Sequence, residues 1–144
     1  MPEVLVDTDI LSDVLKARDR TVTARESAHV AEFGRYAVST ITVMEIIKGL
    51  HKAQRDDRIA AFLSRLAAMD VLTLDVESAE LAGRISGDLE SAGQPIGFAD
   101  PIIAAIAIHS HRTLVTANTA HYVRIAQLGY PLRLDNWRTG QESV

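Results

Sequence analysis

The fold of this 144-residue chain is decided by the stretch Val4-Leu5-Val6-Asp7-Thr8-Asp9. Its first three residues form a short apolar run that two acidic residues end, a pattern typical of a strand buried on both faces. Strands of this kind belong to parallel sheets, which need helices on both sides. The stretch therefore predicts an α/β domain, with polar chemistry starting directly after its first strand.

Short apolar runs alternate with helical patterns along the rest of the chain. Further strands are predicted at 36–40, 71–74, 113–116 and 132–134. Helices are predicted from Thr8, over 20–33, 42–53, 76–92, 102–111 and 119–128, and in a segment that ends near Asp70. This order predicts a three-layer α/β/α domain with a short, mainly parallel sheet over residues 1–137, followed by a flexible tail over 138–144.

The composition excludes several classes of protein. Hydrophobic residues make up 47% and charged residues 24%, which is typical of a globular domain. The net charge of −4 argues against a general positive field for nucleic acid, so any RNA contact must be local. The chain has no cysteine, which excludes disulfides and thiolate metal sites.

Neither a secretory leader nor a membrane span is indicated by the sequence. The N-terminal residues carry no positively charged leader, and the longest apolar stretch, 101–108, is far shorter than the ~20 residues that cross a bilayer. We therefore expect a cytoplasmic protein without a membrane anchor.

Three acidic residues are predicted to meet at one edge of the sheet. Asp7 follows the first strand, Glu45 lies one turn into the helix after the second, and Asp100 precedes an apolar helix. Carboxylates brought together in a cleft repel one another unless a cation lies between them. Mg²⁺ or Mn²⁺ prefers carboxylate oxygens and activates a water molecule beside a phosphate. A hydrolytic metal site is the functional interpretation.

Each of these acids also has a purely structural interpretation. Asp7 or Thr8 is suited to cap the next helix, and Asp100 before Pro101 is typical of a helix N-cap. The segment from Thr42 to Glu45 matches a capping box. The functional interpretation depends on the combination of the three acids.

Four segments together resemble the PIN-domain ribonucleases of the VapC toxin type. They occur in order and cover nearly the whole chain: Leu5-Val6-Asp7-Thr8-Asp9-Ile10-Leu11, Ser39-Thr40-Ile41-Thr42-Val43-Met44-Glu45-Ile46-Ile47-Lys48-Gly49, Asp100-Pro101-Ile102-Ile103-Ala104-Ala105-Ile106-Ala107 and Leu114-Val115-Thr116-Ala117-Asn118. The resemblance implies a PIN-like three-layer fold and an Mg²⁺- or Mn²⁺-dependent endoribonuclease of a type II toxin–antitoxin system. It assigns the catalytic and metal-binding roles to Asp7, Glu45 and Asp100.

The resemblance also implies partners for the chain. These are a cognate VapB-like antitoxin, an RNA substrate such as a tRNA or rRNA loop, and a second copy in a homodimer. The apolar helical faces between Thr42 and Met69 are where we expect the homodimer interface. The reaction implied is hydrolysis of an RNA phosphodiester by metal-activated water, leaving a 5′-phosphate and a 3′-hydroxyl.

The chain departs from the family pattern at two positions. Asp9 stands where Asn is usual, so it either adds charge near the site or faces solvent. His121 occupies the position of a fourth acid, and a neutral imidazole is a poor ligand for Mg²⁺. A second metal is therefore in question, while Thr116 and Asn118 remain candidates to hydrogen-bond a carboxylate or a bound water. His121 has two interpretations, a phosphate contact or a half-exposed helix residue.

Basic residues supply a candidate rim for RNA. Lys48, Lys52 and Arg55 share one side of the helix that carries Glu45, and Lys16, Arg18 and Arg20 follow the first helix. The alternative is an ordinary solvated helix face, because Asp56 and Asp57 interrupt the cluster.

Two other functions compete with the nuclease. In the first, the first and third residues of Asp7-Thr8-Asp9 act as nucleophile and acid of a haloacid-dehalogenase-like phosphatase, but Ile10 and Leu11 do not fit its motif. In the second, a PIN-like module has lost catalysis at His121 and only binds a protein partner. RNA cleavage with and without a divalent cation separates these alternatives.

Overall fold

The computed structural model describes residues 3–140, in which a parallel sheet lies between two layers of helices. Across this range the sheet has five strands in the order β3-β2-β1-β4-β5, and every neighbouring pair is parallel. The strands are β1 (Val4–Val6), β2 (Ala37–Ser39), β3 (Asp70–Leu72), β4 (Thr113–Val115) and β5 (Leu134–Asp135). The predicted three-layer α/β/α fold is confirmed.

Helices connect the strands. They are α1 (Thr8–Lys16), α2 (Arg20–Phe33), α3 (Thr40–Lys52), α4 (Asp56–Arg65), α5 (Val76–Ser91), α6 (Ala99–His109) and α7 (Thr119–Gln127), with a 3-10 turn over Leu66–Ala68. None of the helices in the described part of the chain combines the length and hydrophobicity needed to cross a bilayer.

Two hydrophobic cores form because alternate residues of each strand face opposite helical layers. In β1, Leu5 packs into the core beside α5, α6 and α7. Val4 and Val6 pack into the core beside α1 to α4, which also contains the buried Trp137. All three residues of β1 are apolar, so the polar groups next to this strand lie beyond its end.

Two of the predicted helix caps are wrong. Thr42 does not begin α3, because Ser39 at the end of β2 is the N-cap and its Oγ accepts from the Thr42 N–H at 3.1 Å. Asp100 is not an N-cap either, because α6 begins at Ala99 and places Asp100 in its first turn. The predicted cap at Asp7 is confirmed, since its Oδ1 accepts from the Thr8 N–H at 2.8 Å.

Several strand boundaries also differ from the predicted ones. The strands predicted over 36–40 and 71–74 are three residues each, paired from Ala37↔Asp70 to Ser39↔Leu72. The strand predicted over 132–134 moves forward, because Leu134 is the residue that pairs with Leu114. Parallel register with a neighbouring strand sets these boundaries, and apolar composition alone does not reveal that register.

The strand order reverses at β1, which lies between β2 and β4. In open α/β sheets, ligands bind beyond the carboxyl ends of the strands at such a reversal. Asp7 and Thr116 directly follow β1 and β4, so they flank this crevice.

The last residues of the predicted tail, 141–144, lie outside the described residues. Within the described part of that tail, Arg138 Nε donates to Asp13 Oδ2 at 2.7 Å.

Candidate active site

Asp7 is the most buried of the three predicted site acids, with 6% of its surface exposed. Its N–H donates to the Val115 carbonyl at 2.8 Å, which fixes the residue across the crevice between β1 and β4. Its Oδ2 accepts from Thr116 Oγ1 at 2.8 Å, and that hydroxyl oxygen accepts from the Asn118 N–H at 3.0 Å. The Asp7 carboxylate is therefore held rigidly by the end of the neighbouring strand.

The electrostatic environment of Asp7 is unfavourable to its charge. Burial, the main cause, raises its pKa from 3.8 to about 7, and the charge of Asp9 adds to the increase. The hydrogen bonds from Thr8 and Thr116 oppose the increase, and the charge of Asp100 adds to it. No Lys or Arg within residues 3–140 forms an ion pair with Asp7. A carboxylate in this setting favours a bound cation or a proton.

Asp100 faces the same crevice from the first turn of α6. Burial raises the pKa of Asp100 above its usual value. The nearby Tyr122 hydroxyl and His121 oppose this increase, and the charges of Glu45 and Asp9 add to it. His121 Nδ1 lies 3.9 Å from Asp100 Oδ2 and 2.9 Å from Asn118 Nδ2. Asn118 and His121 thus form a polar pair beside Asp100.

Glu45 reaches the crevice from α3, and hydroxyl groups orient it. Thr8 Oγ1 donates to Glu45 Oε1 at 2.6 Å and lies 3.0 Å from Thr42 Oγ1. Glu45 Oε2 accepts none of the hydrogen bonds among the described residues, so it is open to a water or an ion. Thr8 is the link between the start of α1 and Glu45.

Asp9 does not simply face solvent. Its Oδ1 accepts from the Ile10 N–H at 2.7 Å and its Oδ2 accepts from the Ala117 N–H at 3.0 Å. Burial raises the pKa of Asp9, and these two hydrogen bonds oppose the increase. Asp9 therefore ties α1 to the segment after β4 and adds negative charge to the crevice.

The donor set suits a hard divalent cation. Asp7, Glu45 and Asp100 offer only oxygen ligands, and the carboxylate oxygens of Asp7 keep a second lone pair beyond their present hydrogen bonds. In the described range, no three His, Asp or Glu side chains lie close enough together to surround one ion as they stand. Mg²⁺ needs no such cage, because it commonly takes one or two carboxylates and completes its shell with water.

The acids lie in a groove of about 1040 Å³ between the sheet edge, α1, α3 and α4. Its apolar lining includes Leu15, Leu50 and Phe62. Its cationic lining comprises Lys16, Arg18, Arg55, Arg58 and Arg65.

The predicted basic rim is only partly in the groove. Arg55 lines it, but its guanidinium is paired with Asp57 at 3.2 Å. Lys48 and Lys52 are exposed on α3 and are not among the groove-lining residues. Arg58 and Arg65 were not singled out by the sequence pattern, because the turn between α3 and α4 rotates the second helix and changes which residues share a face.

Tyr122 is a further residue at the site, and it was not among the site residues predicted from the sequence. It is buried in the core beside α5 and α6, but its hydroxyl faces Asp7 and Asp100. The one signal in the sequence is chemical, since a buried tyrosine needs a partner for its hydroxyl where phenylalanine does not.

Comparison with known proteins agrees with this geometry. The PIN domain family model matches residues 4–127. The tRNA(fMet)-specific endonuclease VapC of Shigella flexneri is 32% identical over 141 residues, which cover 95% of this chain and 99% of the relative. Ribonuclease VapC2 of Haemophilus influenzae is also 32% identical over 141 residues, with the same coverage.

Solved structures show the same fold. The DNA-bound VapBC complex of Salmonella typhimurium contains a chain with TM-score 0.79 and 27% identity, covering 95% of this chain and 99% of that one. VapBC-1 of nontypeable Haemophilus influenzae matches with TM-score 0.80 and 26% identity, covering 94% and 98%. The chain belongs to the PIN domain family, and its curated relatives there are VapC ribonucleases.

Proposed function

We propose that this chain is a metal-dependent endoribonuclease toxin of a type II toxin–antitoxin system. The observation that carries the proposal is the pair of buried Asp7 and half-buried Asp100 at the strand-order reversal, neither of which has a Lys or Arg partner among the described residues. The names of the VapC relatives support the ribonuclease class.

The residues that would hold Mg²⁺ or Mn²⁺ are Asp7 and Asp100, with Glu45 binding directly or through water. When bound, such an ion lowers the pKa of a water molecule and offsets negative charge on the phosphate. Thr116 and Thr8 orient the carboxylates of Asp7 and Glu45, which spares reorganisation during the reaction. Glu45 Oε2 is available to accept a proton from an attacking water, and the products carry a 5′-phosphate and a 3′-hydroxyl.

The groove supplies the RNA contacts in this proposal. Lys16, Arg18, Arg58 and Arg65 provide local positive charge that the net charge of −4 conceals. Such cations follow a phosphate backbone, while Phe62 and Leu50 supply apolar surface for bases. Single-stranded or loop RNA, as in tRNA or rRNA, suits a groove whose acids lie at its base.

Partners follow from the same resemblance. The two solved structures described above are VapBC complexes, which supports a VapB-like antitoxin as the cognate partner. A homodimer is part of the proposal, to be checked by light scattering of the purified protein at several concentrations. For its interface, the faces of α3 and α4 leave Met44 and Leu63 exposed.

The decisive experiment measures cleavage of tRNA and of rRNA-loop oligonucleotides with Mn²⁺, with Mg²⁺ and with chelator. We expect cleavage only with a divalent cation, and a loss of about 100-fold or more in Asp7→Asn. Asp88→Asn is the matched control, because this exposed aspartate bonds Tyr130 far from the groove. Cleavage by Asp7→Asn at the wild-type rate contradicts the mechanism, and well-folded protein that cleaves no RNA favours the binding module instead.

A further inference from the structure

Tyr122 occupies an unusual position for a core residue. It lies in the first half of α7, fully buried, with a ring that packs among the apolar residues of α5, α6 and β4. A phenylalanine would fill the same volume without adding a polar atom. The hydroxyl therefore needs an explanation that packing does not supply.

The Tyr122 hydroxyl completes no well-formed hydrogen bond among the described residues. A buried polar group without a hydrogen-bond partner destabilises the folded state. The groups it faces are the carboxylates of Asp7 and Asp100, whose charges both raise the pKa of the phenol. A phenol that keeps its proton is a hydrogen-bond donor, and carboxylates are the acceptors within its reach.

We propose that Tyr122 is a positioning residue, whose O–H donates to the Asp7 or Asp100 carboxylate from the core side and directs the remaining oxygen lone pairs of both acids into the groove. This inference rests on the proposed function, because it assigns to Tyr122 the task of arranging the two acids for a divalent cation. Thr116 performs the equivalent task for Asp7 from β4, and Tyr122 is the group placed to act on both acids.

The test compares Mn²⁺ affinity of the wild-type protein and Tyr122→Phe, measured by the free-Mn²⁺ signal in electron paramagnetic resonance. We expect Tyr122→Phe to bind Mn²⁺ about tenfold more weakly or worse, as is typical when a group that orients metal ligands is removed. The Mn²⁺ concentration for half-maximal RNA cleavage should rise by the same factor, while the rate at saturating Mn²⁺ falls less.

Tyr36→Phe is the matched control. Tyr36 is also buried and its hydroxyl also donates to a carboxylate, Glu26 Oε2 at 2.6 Å, but on the other side of the sheet. We expect this variant to keep wild-type Mn²⁺ affinity. Equal affinity in Tyr122→Phe and the wild-type protein overturns the inference alone, whereas a wild-type protein that binds no Mn²⁺ overturns the proposed metal site together with it.

A second measurement does not need a Tyr122 variant. The chain has three tyrosines, so ¹³Cζ-tyrosine labelling gives a simple spectrum, assigned with the Tyr36 and Tyr130 variants. We expect saturating Mg²⁺ to shift the Tyr122 resonance, because its hydrogen bond changes when the acids bind the ion, and to leave those of Tyr36 and Tyr130 in place. Mg²⁺ binding without a shift at Tyr122 contradicts the proposal.

Discussion

Asp7 and Asp135 are two buried carboxylates on either side of β4, and they are stabilised in opposite ways. Asp135 is 2% exposed and receives both terminal nitrogens of Arg25, at 2.6 and 3.0 Å. Asp7 is 6% exposed and receives one hydroxyl and one backbone N–H, beside the like charges of Asp9 and Asp100. The chain thus neutralises one acid itself and leaves the other to an outside cation or proton.

The difference separates an acid that maintains the fold from an acid available for chemistry. The negative charge of Asp135 is balanced by Arg25 within the folded chain, so it needs no ion from the solution. An unpaired buried carboxylate makes the folded state sensitive to pH and to cations, which is expected of a functional site.

The largest change in the free energy of unfolding is expected when the ion pair between Arg25 and Asp135 is broken. Arg25→Met leaves the Asp135 carboxylate buried without its cation, and removing one partner of a buried pair typically costs about 3–5 kcal/mol. We expect this loss in urea unfolding. Arg84→Met is the control, because the Arg84–Glu80 pair is exposed and worth about 0.5 kcal/mol or less. An equal loss of stability in both variants would show that the buried pair stabilises the fold no more than the exposed one.

The next largest change is expected at Asp7, where the substitution should stabilise the folded protein instead of destabilising it. In chelator at pH 8, Asp7→Asn should raise the free energy of unfolding by about 2–4 kcal/mol, since each unit of pKa shift corresponds to ~1.36 kcal/mol. With a pKa raised to about 7, the folded state binds more protons than the unfolded state between pH 4 and 7. Wild-type stability therefore falls as pH rises through this window.

Urea unfolding from pH 4 to 9 measures this trend. The stabilities of Asp7→Asn and the wild-type protein should lie close together near pH 4 and diverge up to about pH 8. Asp88→Asn, at an exposed site, should follow the wild-type curve throughout. Parallel curves for Asp7→Asn and wild type would mean that burial does not penalise the charge of Asp7.

A smaller gain in stability is expected when a divalent cation binds at Asp7 and neutralises its charge. Mn²⁺ at ten times its dissociation constant should stabilise the folded wild-type protein by about 1.4 kcal/mol, by mass action. Thermal unfolding at pH 8 with Mn²⁺ or chelator measures it. Asp7→Asn should show little of this increase, and Arg84→Met all of it. An increase of the same size in Asp7→Asn would place the ion elsewhere.

The smallest effect is expected at Asp9. Its charge is the second cause of the raised pKa of Asp7, so Asp9→Asn should lower the pKa of Asp7 towards its ordinary value. The pH window over which wild-type stability falls should then end at a lower pH. The loss of the bond from the Ala117 N–H is expected to reduce stability at all pH values alike, so the two consequences can be separated. An unchanged pH window would show that the charge of Asp9 does not affect the pKa of Asp7.

Much of the arrangement was predictable because it depends on local order along the chain. An apolar run followed by an acid predicts a buried strand with a carboxylate at its end, and β1 with Asp7 shows this arrangement. The caps predicted at Thr42 and Asp100 were wrong, because buried hydrogen bonds and the start of each helix are set by neighbouring elements.

Contacts between distant residues were beyond the sequence. Arg25 and Asp135 are separated by 110 positions, and no periodicity links them. The groove cations on α4 escaped prediction because the angle between two helices decides which side chains share a surface. Tyr122 was not predicted at the site, because the direction of a hydroxyl is a property of the folded state.

The contacts between Arg25 and the segment from Asp135 to Thr139 also affect when the chain can fold during translation. Besides Asp135, the Arg25 guanidinium donates to the carbonyls of Asn136 and Thr139, at 3.1 and 3.2 Å. All of these acceptors leave the ribosome more than a hundred residues after Arg25 itself. A nascent chain therefore cannot close the edge of its sheet at β5 until the segment from Asp135 to Thr139 has emerged from the ribosome, long after Arg25.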